Sequence, residues 1–144
     1  MIAIDTNVLL RYLLADDKVQ SRKAAALITG NSRVLVTDVV LMETIWTLKG
    51  KKYKLDKDGI LDVIDSMFEE PGIFFEDGQT VWRAYSDYKK ATPVKVGRKR
   101  KQADFADALV VNKSRHIASS AGELLEGVFT FDVAAQSIPG AKAP

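Results

Sequence analysis

The sequence of 144 residues contains no cysteine and only one histidine, His116. Without cysteine, the chain forms no disulfide and offers neither a thiolate metal ligand nor a cysteine nucleophile. Without a second histidine as a partner, His116 is not expected to act as a metal ligand or a general base. No apolar run approaches the roughly 18 residues of a membrane span, and the first residues lack the features of a secretory signal. We therefore expect a soluble, cytoplasmic protein that does not contact a membrane.

Acidic and basic residues are nearly balanced in number, with 21 Lys and Arg against 19 Asp and Glu, but they are unevenly distributed. Residues 89–102 contain seven basic residues and no acid. Residues 92–101 predict a basic loop, because they include Pro93 and Gly97. Such a run is usually a solvated loop, but one that opens onto an acidic pocket is suited to binding phosphates. The candidate phosphate contacts are Lys95, Arg98, Lys99, Arg100 and Lys101.

Short apolar runs alternate with helical patterns along the chain. Residues 1–5, 33–37, 73–76 and 128–131 are rich in Ile, Val, Leu and Phe and predict strands. The intervening segments have apolar residues at helical spacing, in which Trp46 and Trp82 are predicted to pack in the core. This alternation predicts one α/β domain over residues 1–138, followed by a flexible tail at residues 139–144.

Two of the predicted strands end at an aspartate, Asp5 after the first and Asp132 after the last. Open α/β sheets bind their ligands at the carboxyl ends of their strands, so both carboxylates are candidates for a functional site. Asp5 also stands where a residue would cap the following helix. For Asp5 alone, the capping role and the site role are about equally supported.

Three further acids lie in segments that read as apolar helices. Asp104 and Asp107 fall in the segment 104–112, where positions three apart share a helix face. Two carboxylates about 4 Å apart repel by roughly 4 kcal/mol at an effective dielectric of 20, so a cation or a proton must be near them. Glu43 lies between Met42 and Thr44, where a surface position is the simpler interpretation and an inward carboxylate the alternative.

Together these acids form a ligand set of oxygens without an imidazole or a thiolate. If they converge on one hollow, that set suits Mg²⁺ or Mn²⁺ and argues against zinc. The matching reaction is hydrolysis of a phosphodiester by metal-activated water, with one ion or with two ions about 3.5–4 Å apart. The candidate ligands are Asp5, Glu43, Asp104, Asp107 and Asp132.

Four sequence blocks in order resemble the PIN-domain ribonucleases, in particular the VapC-type toxins of toxin–antitoxin pairs. The blocks are residues 1–10 (MIAIDTNVLL), Glu43 in the helix after the second strand, residues 104–109 (DFADAL) and residues 130–132 (TFD). The resemblance implies a three-layer α/β/α domain with a central, mainly parallel sheet of four to five strands. It also implies a metal-dependent endoribonuclease that cleaves RNA.

The resemblance also assigns roles to individual residues. It makes Asp5, Glu43, Asp107 and Asp132 the clustered catalytic acids. Asp104 matches an additional acid, and Asp107 is favoured as the closer metal ligand. Thr6, Asn7 and Thr130 would orient carboxylates or water by hydrogen bonds. The implied partners are RNA, a second copy of the chain in a homodimer, and a small VapB-type antitoxin.

Other functions remain open at this stage. One is a PIN-type nuclease of RNA processing outside a toxin–antitoxin pair, and another is a module that binds metal or RNA without cleaving it. A phosphatase of the HAD class also places Asp after its first strand, but it needs a second Asp two residues later, where this chain has Asn7. A receiver-like domain needs an acidic pair at the first strand end, where Asp5 stands alone.

Overall fold

The first three strands are separated by pairs of helices. The structure, a computed structural model, describes all residues 1–144. The chain divides into two compact units, Met1–Asp77 and Gly78–Pro144. The first unit comprises β1 (Ile2–Ala3), α1 (Thr6–Leu14), α2 (Lys18–Thr29), β2 (Val34–Val36), α3 (Asp38–Lys49), α4 (Lys57–Glu69) and β3 (Ile73–Phe75). The second comprises α5 (Gly78–Lys90), β4 (Val94–Val96), β5 (Lys99–Lys101), α6 (Phe105–Ser120), β6 (Val128–Phe129), a 3₁₀ turn (Ala135–Ser137) and β7 (Ala141–Lys142). The prediction of one domain over residues 1–138 stays a prediction.

The first unit is built on a parallel sheet in the order β1-β2-β3. Ile2 lies opposite Val34, and Val34 lies opposite Ile73 on its other side. Parallel neighbours need long crossovers, which the helix pairs α1–α2 and α3–α4 supply. The predicted α/β class is therefore confirmed. The sheet of the first unit has three strands rather than four to five, and β6 pairs in parallel with β7 in the second unit.

Helices of the first unit bury one apolar stripe each. Helix α1 packs against α2 and α3, and α3 packs against α4. The side chains that these helices bury completely, or to within about 1%, are Leu9, Ile28, Leu41, Ile45, Leu48, Ile60, Ile64 and Met67. Burial of each side chain of this size contributes about 1.5–3 kcal/mol. The core holds the amino-terminal end of α1, and thus Asp5, in place.

Both tryptophans contradict the prediction that they pack in the core. Trp46 is 60% exposed and Trp82 is 51% exposed. On α3 the buried stripe runs through Ile45 and Leu48, and on α5 it runs through Val81 and other residues. Each tryptophan follows a stripe residue by one position, which rotates its side chain about 100° around the helix axis.

The second unit is centred on the contact between α5 and α6. Phe105, the first residue of α6, is fully buried and meets the ring of Tyr88 edge to face at 6.1 Å between ring centroids. Asn112, also buried, donates to the carboxylate of Asp87 at 2.8 Å and to the Ala108 carbonyl at 2.9 Å. These contacts hold the amino-terminal end of α6, where Asp104 and Asp107 lie.

The predicted basic loop is a β-hairpin. Strands β4 and β5 are antiparallel, with Lys95 opposite Arg100, and the turn contains Gly97 at φ +63°. Glycine tolerates this left-handed conformation without the strain that a Cβ atom would add. The loop prediction was wrong because its valines at positions 94 and 96 alternate with polar residues, a period typical of a strand.

The carboxyl-terminal segment 139–144 also contains a strand. Ala141 lies opposite Val128 and Lys142 opposite Phe129 in the pair β6–β7. The side chain of Arg115 donates to the carbonyl of Pro139 at 3.2 Å. The segment predicted as a flexible tail is thus hydrogen-bonded to the rest of its unit. None of the helices has the length and hydropathy needed to cross a membrane.

Candidate active site

Asp5 caps the amino-terminal end of α1. Its Oδ1 accepts a hydrogen bond from the backbone N–H of Val8 at 2.9 Å, and its side chain is exposed. The capping role considered from the sequence is therefore confirmed. It does not compete with a role in binding, because a carboxylate that accepts one bond at a cap keeps lone pairs for another ligand. Asn7, two residues later, is also exposed and lines the same cavity as Asp5.

Glu43 is tied to the segment that follows Asp5. The hydroxyl of Thr6 donates to Oε2 of Glu43 at 2.6 Å, across 37 residues of sequence. Helix α3 thereby places Glu43 beside the start of α1, although the carboxylate is exposed. Thr6 thus holds the carboxylate of Glu43, whereas the roles that the resemblance assigns to Thr6 and Glu43 in the reaction stay predictions.

Asp104 and Asp107 are joined by two reciprocal hydrogen bonds. The Asp107 N–H donates to Oδ1 of Asp104 at 3.0 Å, and the Asp104 N–H donates to Oδ2 of Asp107 at 2.9 Å. This is a capping box, in which Asp104 precedes α6 and Asp107 is its third residue. The two acids are adjacent, as predicted, but Asp104 caps the helix and does not share a face of it.

The electrostatic surroundings of Asp107 show that a third acid is near. The pKa of Asp107 is raised to about 6, first because the carboxyl is partly buried and then because Asp104 and Asp132 are negatively charged. The backbone hydrogen bond at Asp104 opposes this rise. The structure therefore brings Asp107 and Asp132 into electrostatic range across 25 residues.

Asp132 is held by backbone hydrogen bonds after β6. Its Oδ1 accepts from the N–H groups of Ala134 and Ala135 at 2.9 and 3.2 Å. The Oγ1 of Thr130 accepts from the Asp132 N–H at 3.1 Å. Thr130 and Asp107 also line one cavity of about 200 Å³. The resemblance assigned Thr130 an orienting role, and in the structure it fixes the backbone of Asp132.

The donor chemistry of these residues fits a hard cation, because every candidate ligand is a carboxylate. Asp5 and Glu43 belong to unit 1, and Asp104, Asp107 and Asp132 belong to unit 2. Within either unit, no three acidic side chains form a group that could hold a metal ion. The pKa of Asp107 is raised first by burial of the carboxyl and, after that, by the negative charges of Asp104 and Asp132. Metal binding by these five residues stays a prediction.

The basic hairpin exposes its cations together. Lys95, Arg98, Lys99, Arg100 and Lys101 are all exposed. Because directly opposite residues of a hairpin share a face, the register places Lys95 and Arg100 side by side. Like charges in this arrangement repel, and a bound polyanion would relieve that repulsion.

Sequence reasoning assigned no role to three polar residues that share a cavity with Asp5. These residues are Arg11, Gln20 and Lys23, from α1 and α2. Each reads in the sequence as an ordinary exposed position on an amphipathic helix. Only the packing of α1 against α2 brings them together, so no sequence signal could have found them.

The match to a family model decides what the chain is related to. Residues 2–138 match the model of the PIN domain. The chain belongs to the PIN-domain family. The predicted family and α/β fold class are thereby confirmed, and the family supports the coarse prediction of a nuclease.

Comparison with individual proteins adds a remote structural likeness. The PIN chain is similar to the solved structure of VapC20 of Mycobacterium tuberculosis, described as a toxin that cleaves the sarcin–ricin loop. The sequences are 13% identical over 97% of this chain and 96% of that one, with a TM-score of 0.39. No curated protein matches this PIN chain.

The raised pKa of Asp107 predicts that its charge destabilises the metal-free PIN protein. A carboxyl whose pKa is about 6 in the folded state, against an ordinary 3.8, stabilises the fold below pH 3.8 and loses that contribution as the pH rises through about 6. We expect Asp107→Asn, measured in EDTA, to be more stable than wild type by about 1 kcal/mol at pH 8, after discounting for solvent screening. The difference should vanish below pH 4. Thermal melts across this range measure it.

Asp58→Asn is the matched control, because Asp58 is an exposed acid in the first turn of α4 and is not one of the candidate site acids. Loss of its favourable interaction with the helix dipole should destabilise that variant slightly at pH 8. An Asp107→Asn variant that is no more stable than wild type at pH 8 would contradict a raised pKa of Asp107 in the folded protein.

Proposed function

We propose that this PIN protein is a metal-dependent endoribonuclease and the toxin of a VapBC-type pair. The PIN match over residues 2–138 carries the proposal, because the acids of the family pattern are all present. In this proposal Asp5, Glu43, Asp107 and Asp132 are the catalytic acids, and Asp104 assists them.

The same five carboxylates are the residues that would hold Mg²⁺ or Mn²⁺. When bound, the ion supplies activation of water and electrostatic stabilisation of the phosphate that is cut. Three neighbouring side chains have separate roles in this proposal. Thr6 fixes the rotamer of Glu43 through its 2.6 Å hydrogen bond, and Thr130 fixes the backbone of Asp132. Asn7 is proposed to orient water or substrate beside Asp5.

Incubation of the purified protein with RNA tests the metal dependence directly. We expect cleavage in Mg²⁺ or Mn²⁺, none in EDTA, and recovery when either ion is added in excess of the chelator. A preparation that cuts RNA equally well in EDTA would contradict a metal-dependent mechanism.

The basic hairpin is proposed to hold the RNA backbone. Replacing Arg98, Lys99, Arg100 and Lys101 together by Gln should weaken RNA binding at low salt by at least about tenfold, because up to four phosphate contacts are lost. The slope of log affinity against log salt should fall by about 0.7 for each contact with single-stranded RNA that is lost. Fluorescence anisotropy at several salt concentrations measures both effects.

A variant with Lys51, Lys52 and Lys54 replaced by Gln controls for net charge. These lysines form a second exposed basic cluster, after α3. Because the control removes three charges and the hairpin variant removes four, the two are compared per charge removed, and per charge the control should change the affinity and the salt slope less. Equal losses per charge would show that total charge, rather than the hairpin, governs RNA binding.

The proposed partners follow from the VapC resemblance. They are the RNA substrate, a second copy of the chain and a VapB-type antitoxin, in a cytoplasmic setting. A short neighbouring reading frame whose product copurifies with this chain and suppresses its RNA cleavage is the expected antitoxin. Full activity in the presence of that product would instead favour a PIN nuclease of RNA processing.

A further inference from the structure

The first unit contains a cavity between α1 and α2 that none of the roles above explains. Its volume is about 290 Å³, just below the range of about 300–1,000 Å³ that is usual for small-ligand sites. Asp5 and Asn7 lie in its lining, at the amino-terminal end of α1. A ligand in this cavity would therefore lie next to the proposed catalytic carboxylate.

One part of the lining is apolar and belongs to both helices. Val8 comes from α1, and Ala24 and Leu27 come from α2. Ala24 is almost fully buried, whereas Leu27 remains 40% exposed although it lies on a helix that packs against α1. A flat apolar ring placed against these side chains would bury surface that is now open to water.

The rest of the lining is polar, and part of it is held rigidly. The guanidinium of Arg11 donates from Nε to Oε1 of Gln20 at 2.7 Å and from Nη1 to Asp16 at 3.0 Å. These bonds occupy the carbonyl oxygen of Gln20 and leave its amide N–H groups to donate to a ligand. Such donors complement the acceptor atoms on the edge of a nucleobase.

Lys23 adds a positive charge that the protein itself does not use. It is exposed, lines the cavity, and makes no hydrogen bond or ion pair in the structure. Arg11, in contrast, is paired with Asp16. Lys23 is thus the cation of the cavity that is available to a phosphate.

We propose that this cavity is a nucleotide subsite, in which an RNA base lies against Ala24 and Leu27 while Lys23 contacts its phosphate. The apolar surface, the amide donors and the single available cation match the three parts of a nucleotide. The assignment rests on the proposed ribonuclease function, because Asp5 would then act on the phosphodiester next to the bound base.

Titration of the ¹⁵N-labelled protein with nucleoside 5′-monophosphates tests the subsite without requiring catalysis. In EDTA, we expect chemical-shift changes at the amides of Gln20, Lys23, Ala24 and Leu27. Ribose 5-phosphate, which lacks the base, should bind at least about tenfold more weakly. Equal binding of ribose 5-phosphate, or no shift changes at these amides, would overturn the proposal.

Two surface variants separate the subsite from general charge effects. Lys23→Gln should weaken nucleotide binding by about tenfold, whereas Arg22→Gln, which removes the neighbouring exposed charge outside the cavity, should change it less than about twofold. Leu27→Ala should weaken the binding of the nucleotide more than it weakens the binding of ribose 5-phosphate. Equal effects of Lys23→Gln and Arg22→Gln would count against the subsite.

The RNA cleavage assay keeps the two proposals distinguishable. Nucleotide binding at these amides by a protein that never cuts RNA would support the subsite and overturn the nuclease. Metal-dependent cleavage without base-dependent binding would support the nuclease and overturn the subsite.

Discussion

Asp107→Asn is expected to lower the rate of RNA cleavage by about 10²- to 10⁴-fold, the range contributed by a catalytic acid or base. Asn has the shape of Asp and keeps an oxygen that accepts the 2.9 Å bond from the Asp104 N–H, so the capping box survives. What is lost is the negative charge. Multiple-turnover cleavage of a labelled RNA, with Mg²⁺ in excess, measures the rate.

We expect Asp107→Asn to be more stable than wild type without metal and also much slower in RNA cleavage. Only an acid with a role in function would show both effects. A residue that served only the fold would lower stability and activity together. Burial and, after it, the nearby acids raise the pKa of Asp107, so its charge costs stability that the fold alone would not retain. Asp5→Asn should reduce cleavage similarly while preserving its cap on α1.

The cleavage rates of two further variants are compared with that of Asp107→Asn. Asp62→Asn removes an exposed acid of α4 and should leave cleavage unchanged. Asp104→Asn should reduce cleavage less than Asp107→Asn does, because Asp107 is proposed as the closer ligand. Asp107→Asn protein that cuts RNA at the wild-type rate would remove Asp107 from the mechanism.

Phe105→Ala is expected to destabilise the protein by about 3–5 kcal/mol, the usual cost of deleting a buried aromatic ring. Phe105 has no exposed surface and meets Tyr88 of α5 edge to face. It also follows Asp104 directly, so the same residue anchors α6 and positions the capping box. Urea denaturation monitored by circular dichroism measures the free energy of unfolding.

Phe105→Leu is the control for the loss of the buried ring. This variant keeps most of the apolar volume and should lower the free energy of unfolding by less than half as much as Phe105→Ala does. Val110→Ala, at a more than half-exposed position on the same helix, should cost less than about 1 kcal/mol. A loss for Phe105→Ala no larger than that for Val110→Ala would contradict the central packing role of Phe105.

The sequence predicted where the candidate acids lie relative to strands and helices better than it predicted their local geometry. Apolar runs that end at Asp5 and Asp132 identified both residues as following strands, and the structure agrees. The reading of Asp104 and Asp107 as one helix face was wrong in detail, since helical spacing cannot distinguish a cap from the first turn. Capping depends on the backbone conformation of Asp104, which is extended.

The basic segment and the two tryptophans show where local patterns fail. One proline, one glycine and a run of charges at residues 92–101 predicted a loop, whereas cross-strand hydrogen bonds make a hairpin. Trp46 and Trp82 are apolar residues in amphipathic helices, yet the helix rotation that buries their neighbours turns them outward. The spacing of apolar residues does not predict the orientation of a helix to within one residue, which is about 100° of rotation around its axis.

By itself, the sequence determined the α/β class, the family pattern and the chemical type of the candidate metal ligands, because strand and helix periods and residue identity are local properties of the chain. Only the tertiary structure decided which distant groups meet. It joined Thr6 to Glu43, brought Asp132 near Asp107, and enclosed a cavity between α1 and α2. The physical reason is that such contacts depend on how helices and strands pack and rotate, which is fixed by the burial of many side chains at once.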